Sequence, residues 1–178
     1  MKNKKYTVNI LTGEGLSELI KATERYEKWL QDKTKKLLQR LTDEGLKIST
    51  AGFQSARYDG TNDVTVSVEN RGENTRAIIA RGATVLFIEF GTGVTYPDDH
   101  PEKPAGVMGR GTYGHKLGRL EKGWRYPESH GAGTSATKDP DHPGYYHTYG
   151  NPANKPMYES KKELREKLSE IVKEVFSD

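Results

Sequence analysis

The chain of 178 residues contains no cysteine, and this absence narrows its chemistry at once. A disulfide framework, a thiol nucleophile and cysteine-based zinc sites are all excluded. No apolar stretch approaches the roughly 20 residues that span a bilayer, so no membrane partner is expected. The first five residues resemble the basic start of a signal peptide, but residues 6–11 are too short and too polar to continue one. Secretion is therefore not expected.

Net charge is also small, at +3 with an isoelectric point near 8.9. A dedicated DNA-binding domain usually carries a stronger, clustered basic excess, so only a weak attraction to nucleic acid is expected. Hydrophobic residues make up 33% and charged residues 30%, a composition typical of a water-soluble protein with a modest core. The length suits one domain spanning residues 1–178.

The stretch that organises the chain is residues 83–93, which read A-T-V-L-F-I-E-F-G-T-G. Residues 84–90 are β-branched, aromatic or aliphatic on both alternating faces, which predicts a central strand covered on both sides. Glu89 is the exception, and a buried carboxylate needs a cation or several N–H donors. Arg76 and Arg81 on the neighbouring strand are the expected partners. An intersubunit contact and a catalytic acid are the alternatives for Glu89.

Periodicity predicts the remaining elements. Alternation indicates an edge strand at residues 6–10 and strands at 46–48, 64–68 and 75–80, the last two forming a meander with residues 84–90. A long helix is predicted over residues 16–44, ended by Gly45, with an apolar stripe of Leu16, Leu19, Ile20, Thr23, Tyr26, Leu30, Leu37 and Leu41.

A second amphipathic helix is predicted from near Met157, with Pro156 in its first turn, packed beside the first helix. The fold class is therefore α+β. A small antiparallel meander packs against a long N-terminal helix and a C-terminal helix, and a long irregular insertion interrupts the chain.

That insertion spans residues 95–152 and shows neither a helical stripe nor sustained alternation. Loops of this length are functional or disordered, and the many aromatic residues argue against a simple linker. We therefore expect an arm that orders against a neighbouring molecule. The candidate contact residues are Tyr113, Trp124, Tyr126, Tyr145 and Tyr146.

Basic residues interleave with aromatic ones in part of the arm, as on surfaces that bind nucleic acid. These residues are Arg110, Lys116, Arg119, Lys122 and Arg125. Glu121 and Glu128 dilute their charge, so the pattern predicts only a weak, sequence-independent contact with DNA.

All the histidines also lie in the insertion, namely His100, His115, His130, His142 and His147. The spacing of the last two occurs in zinc sites, which would suit a metal-dependent hydrolase or nuclease. Surface histidines in turns are the favoured interpretation, because no strand or helix is predicted to hold them. The glycines at 109, 111 and 114 neither follow a strand nor open a helix, so no cofactor is expected.

The phrase F-I-E-F-G-T-G, preceded by residues 80–83, resembles the signature of phage tail-completion and head–tail joining proteins, a family of siphophage minor structural proteins. The residues that carry this resemblance, together with a Pro-led pair at the start of the last helix, are Arg81, Glu89, Phe90, Gly91, Thr92, Gly93, Pro156 and Met157. Met157 stands where a phenylalanine is common, and the insertion is longer than the usual connection.

The resemblance implies a small antiparallel sheet flanked by helices and a structural role without catalysis. Copies would form a homo-oligomeric ring at the neck or tail terminus, joining tail to head around the DNA path. The implied partners are other copies of the chain and other neck or tail proteins. The implied location is the virion, after assembly in the bacterial host cytoplasm.

Overall fold

The computed structural model describes residues 13–93, 100–102, 123–133 and 136–177. The fold is mixed α+β, as predicted, with a long N-terminal helix, a C-terminal helix and small antiparallel sheets between them. A 3-10 turn covers residues 128–130. The elements in chain order are α1 (Gly13–Gln54), β1 (Thr65–Gly72), β2 (Thr75–Arg81), α2 (Val85–Phe90), β3 (Thr92–Gly93), β4 (Trp124–Pro127), β5 (Thr137–Lys138), β6 (Tyr145–Thr148), β7 (Gly150–Asn151) and α3 (Pro156–Ser177).

Helix α1 runs through Gly45, so the predicted helix end there and the predicted strand at residues 46–48 are both wrong. Gly45 is buried where α1 meets β2 and α3. A Cβ at this position would overlap the Ile78 side chain and lie 2.8 Å from Leu164 Cδ1. A Cβ at Gly52 would lie 2.8 Å from Pro156 Cβ. These glycines therefore permit close packing within a helix instead of ending it.

Helix α3 packs antiparallel along the second half of α1, which confirms the predicted pairing of the two helices. Near the end of α3, Lys33 Nζ donates a hydrogen bond of 2.7 Å to the Val175 carbonyl. In the middle, Lys167 Nζ lies 2.6 Å from Glu44 Oε1, and this hydrogen bond lowers the pKa of Glu44. Near the start, Pro156 meets Gly52. Helix α3 thus leaves the first turns of α1 uncovered.

Strands β1 and β2 form an antiparallel hairpin that packs against α1, as predicted from their alternation. The predicted third strand of this meander is wrong, because residues 85–90 form the short helix α2. The Asp63 carboxylate accepts hydrogen bonds from the backbone N–H of Ala83 at 2.7 Å and of Thr84 at 3.0 Å. These bonds fix the turn before α2, and the segment that follows is helical despite its high β propensity.

The insertion contains more regular structure than predicted. Strands β4, β6 and β5 form an antiparallel sheet in that order, and β7 pairs with β3 next to α2. These strands have only two to four residues each and turns divide them, so no alternation is visible in the sequence. Residues 94–99, 103–122 and 134–135 lie outside the described part, as does the edge strand predicted at residues 6–10.

The described core is small. Its fully apolar members are Ala22, Phe53, Ile88, Ile171 and Val175. Several large apolar side chains are exposed instead, chiefly in the first turns of α1. Among the described helices, none is both long and apolar enough to cross a membrane.

Candidate functional site

Most of the residues that carry the family resemblance meet where α2 ends and α3 begins. We call this place the Glu89 junction, and its members are Glu89, Gly91, His100, Asn154 and the first turn of α3 (residues 156–158). Glu89 is only 5% exposed. Its Oε2 accepts a hydrogen bond of 2.9 Å from the Met157 N–H, and its Oε1 accepts one of 3.0 Å from the Tyr158 N–H.

Backbone donors therefore take the place of a cation at this buried carboxylate. The first N–H groups of any helix lack partners within the helix, and the helix dipole favours a negative charge beside them. Glu89 satisfies two of these groups in α3, although it lies far from them in sequence. Pro156, which has no N–H, precedes them at the first helical position.

The expected pairing of Glu89 with an arginine is wrong. Arg81 donates hydrogen bonds to Glu69 and to Ser67 Oγ within the β1–β2 hairpin. Arg76 donates to Gln39 on α1. Because residues 85–90 are helical, Glu89 does not lie beside these arginines in a common sheet, and α2 delivers it to α3 instead.

The third partner of Glu89 is His100, which is also buried. Its Nε2 lies 3.1 Å from Glu89 Oε1, while its Nδ1 accepts a hydrogen bond of 3.1 Å from the Glu102 N–H. Since Nδ1 is an acceptor, this network assigns a neutral imidazole with its hydrogen on Nε2. The rings of Phe90 and Tyr158 pack against the imidazole, with centroids 4.4 and 5.5 Å away.

Gly91 lets the loop before α3 approach the end of α2. Its φ is +74°, and a Cβ there would lie 2.5 Å from the Ala153 nitrogen. Asn154 N–H donates to the Ile88 carbonyl at 2.9 Å, and Lys155 N–H donates to the Glu89 carbonyl at 3.2 Å. The loop thus satisfies carbonyls that α2 leaves free at its end.

A polar extension ties the end of α1 to the same loop. The Asn154 side chain accepts from the Arg57 N–H at 2.8 Å and donates to the Arg57 carbonyl at 2.9 Å. Asp59 is buried and accepts a hydrogen bond from the Thr148 hydroxyl. The Asn151 side chain accepts from the Asp59 N–H. No sequence pattern pointed to these residues, since only their tertiary neighbours reveal their roles. The interpretation of His100 as a surface histidine is wrong, because its ring is buried against Glu89, Phe90 and Tyr158.

Of the sequence-predicted site residues, the junction brings together Glu89, Phe90, Gly91, Pro156 and Met157. The backbones of Thr92 and Gly93 continue from it as β3, paired with β7. Arg81 is not part of it.

The structure describes four of the five predicted arm residues, and these four differ in burial and in their contacts. The rings of Tyr126 and Tyr146 pack together with centroids 5.8 Å apart, and Tyr126 donates its hydroxyl to the Ala132 carbonyl at 3.0 Å. Burial, helped by the charge of Asp59, raises the pKa of Tyr126 to about 12. Trp124 is half-buried opposite Thr148 and Tyr145 is exposed. Tyr113 lies outside the described residues.

Arg125, one of the basic residues predicted to contact DNA, forms an ion pair with an acidic side chain of the arm. It donates a hydrogen bond to Asp139, whose carboxylate also accepts from the Asp141 N–H at 2.9 Å. These interactions, led by that of Arg125, lower the pKa of Asp139 to about 2. The other basic residues of the group lie outside the described part of the chain.

His142 and His147, whose spacing suggested a zinc site, contact different residues. His142 Nδ1 lies 3.3 Å from Asp139, and the His147 ring packs edge-on against Tyr149 at 4.8 Å. Within the described ranges, no three histidine or acidic side chains are grouped so that they could hold a metal ion. His115 lies outside those ranges, so the hydrolase alternative stays a prediction.

No protein-family model, no curated protein and no solved structure matches this chain significantly. The function must therefore be argued from the geometry. At the Glu89 junction the carboxylate is buried and its described partners are two backbone amides and one imidazole. Such an arrangement is suited to holding elements together, because the described donors occupy both carboxylate oxygens.

Proposed function

We propose that this chain is a phage or prophage structural protein of the head–tail connector or tail terminus. Copies assemble as a homo-oligomeric ring that joins tail to head around the DNA path. The chain acts without catalysis, in the virion, after assembly in the cytoplasm of the bacterial host.

The observation that carries the proposal is the contact of Glu89 with the first turn of α3. The resemblance to tail-completion proteins rests on two separate phrases, E-F-G-T-G and the Pro-led pair at residues 156–157. In the fold these phrases touch through two hydrogen bonds of 2.9 and 3.0 Å. A physical reason therefore links two sequence features about 65 residues apart, as expected if both belong to one structural motif.

The state of the acid also supports a structural role. A catalytic carboxylate must reach its substrate, whereas Glu89 is buried and bonded on both oxygens. Replacing these partners with a substrate would leave N–H groups of α3 without acceptors, which is costly in a buried place. Its chemistry here is that of a helix cap.

Exposed apolar surface supports self-association. This surface is not the sheet of the predicted central strand, because residues 85–90 are helical. The uncovered apolar side chains lie on the helices instead. They include Leu16, Ile20, Leu30 and Leu168. Exposed apolar side chains on a helical surface, as at Leu16 and Ile20, are typical of an interaction site.

The arm offers a second surface, to other neck or tail proteins. Tyr145 and Tyr149 are exposed on the arm, and aromatic side chains of this kind are enriched where proteins bind one another. Any contact with DNA is weak and sequence-independent, because Arg125 is paired with Asp139.

The test is a stop codon early in this gene, placed in the phage or prophage that encodes it. We expect filled heads and separate tails in electron micrographs, and joined particles again when the intact gene is supplied in trans. A matched control is a synonymous change at the same codon. Complete, infectious particles from the stop-codon phage would overturn the proposal.

A further inference from the structure

An apolar groove opens to solvent between α1, β2 and α3 and encloses about 320 Å³. The residues that matter for the argument are Ser49, Ile78, Lys161, Leu164, Arg165 and Leu168. Leu168 is 42% exposed although it is apolar. Ser49 is fully buried, and its hydroxyl has no hydrogen-bond partner among the described residues. Apart from this hydroxyl, the surface that lines the groove is almost wholly apolar.

The edge of this groove attracts carboxylates. Lys161 Nζ donates a hydrogen bond to Glu102 and sits 5.4 Å above the Tyr158 ring. The hydrogen bond from Lys161, followed by the charges of Lys161 and Arg165, lowers the pKa of Glu102. Glu102 and Arg165 are exposed, so an incoming acid can reach the same pair of cations.

A surface of matching chemistry lies on the first turns of α1. Leu16 and Ile20 are each 51% exposed, and they are four residues apart on one face. Glu24 and Glu27 follow Ile20 by four and seven residues, which places them on that same face, and both are exposed. We call these four residues the α1 tip.

We infer that the α1 tip of one copy docks in the groove of a second copy of this chain. The inference rests on the proposed function and identifies the seam of the ring. The leucine and isoleucine of the tip cover the apolar lining of the groove. The two glutamates meet Lys161 and Arg165, so that apolar burial and charge complementarity act together.

The same chain cannot make this contact with itself. Ile20 and Ser49 belong to one continuous helix, and at 1.5 Å per residue they are about 45 Å apart. A tip that enters this groove therefore comes from another molecule. Each copy then offers one tip and one groove. A contact between unlike surfaces repeats from copy to copy, and it closes into a ring when the rotation allows.

Charge reversal tests the inference. The variants Glu24→Lys/Glu27→Lys and Lys161→Glu/Arg165→Glu should each raise the concentration for half-association about tenfold. All four changes together should restore association to near the wild-type value. Glu14→Lys/Glu18→Lys is the matched control, because both residues are exposed on the opposite side of α1. It should associate like the wild type in sedimentation velocity.

Mixing provides a second test. Leu16→Asp/Ile20→Asp lacks a working tip, and Arg165→Glu/Leu168→Asp lacks a working groove. Each variant alone should be monomeric. Together they should form a one-to-one dimer and stop there, because only one functional tip and one functional groove remain.

The outcomes separate this inference from the proposed function. If wild type and all variants associate equally, the seam lies elsewhere and the inference fails, while the ring proposal stands. If the fourfold charge reversal stays as weak as either pair, the tip does not face Lys161 and Arg165, and the inference fails as well. A wild type that stays monomeric at every concentration overturns both.

Discussion

Two halves of α1 carry the same apolar stripe but differ in what covers it. After Leu30, α1 packs against α3 and the β1–β2 hairpin, and Phe53 near the end of the helix is only 2% exposed. Before Leu30, Leu16 and Ile20 remain half exposed. An amphipathic pattern therefore shows that a helix face is meant to be covered, but it does not show whether the chain itself provides the cover.

The largest expected difference between the halves is in core stability. Phe53→Ala removes a buried ring and should lower the free energy of unfolding by about 3–5 kcal/mol. Ile20→Ala should change it by less than about 0.5 kcal/mol, because the side chain is half exposed. Urea unfolding of both variants at a concentration where the chain is monomeric would measure this. Equal losses would mean that the two halves are covered alike.

The second-largest expected loss of stability is at the Glu89 junction, which holds the start of α3 in place. Glu89→Ala leaves the N–H groups of Met157 and Tyr158 and the His100 imidazole without their acceptor. It should cost about 1–3 kcal/mol. Glu89→Gln keeps one acceptor oxygen and should lose less. Hydrogen exchange at the Met157 and Tyr158 amides should speed up in the alanine variant. Unchanged exchange there would contradict the capping role.

Glycine-to-alanine substitutions in the two halves of α1 should also differ in their effect on stability. In the covered half, Gly45→Ala should destabilise by about 1 kcal/mol. Overpacking against Ile78 and Leu164 costs about 1–3 kcal/mol, and the gain in helix propensity offsets about 1 kcal/mol of it. In the other half, Gly13→Ala meets no atom of the described residues within 4 Å and should be neutral or slightly stabilising. Thermal unfolding would compare them. A stabilised Gly45→Ala would show that α3 does not pack closely there.

The smallest expected effect lies in the arm. The pKa of Asp139 is about 2, below its ordinary value of 3.8, chiefly because Arg125 donates a hydrogen bond to it. A lowered folded-state pKa means that this pair stabilises the fold above about pH 4, and that the contribution is lost as the pH falls toward 2. Carboxyl NMR titration should show the low midpoint. Arg125→Gln should raise it, and an unchanged midpoint would contradict the pairing.

Sequence patterns predicted the elements whose cause is local. The alternation of Val64, Val66 and Val68 led to β1, and the stripes of α1 and α3 led to two packed helices. Patterns failed where a distant partner decides. Gly45 looked like a helix end because the side chains that pack against it, Ile78 and Leu164, are far away in the chain. These two side chains leave no room for a Cβ at position 45.

The candidate site was predicted only in part, again because distant partners determine its contacts. The cost of a buried charge required that Glu89 have a cation or several N–H donors, and the donors are there. Their identity depended on residues 85–90 being a helix, which the β-rich composition of the segment did not reveal. The strand interpretation of residues 84–90 therefore led to the wrong partners, Arg76 and Arg81.

The most direct test of the account is the molar mass of the full wild-type chain in solution, measured by sedimentation equilibrium over a wide range of concentration. We predict that monomers give way to one closed oligomer of fixed stoichiometry as a neighbouring copy covers Leu16 and Ile20. A chain that remains monomeric throughout, with Leu16 and Ile20 still exposed, would contradict it.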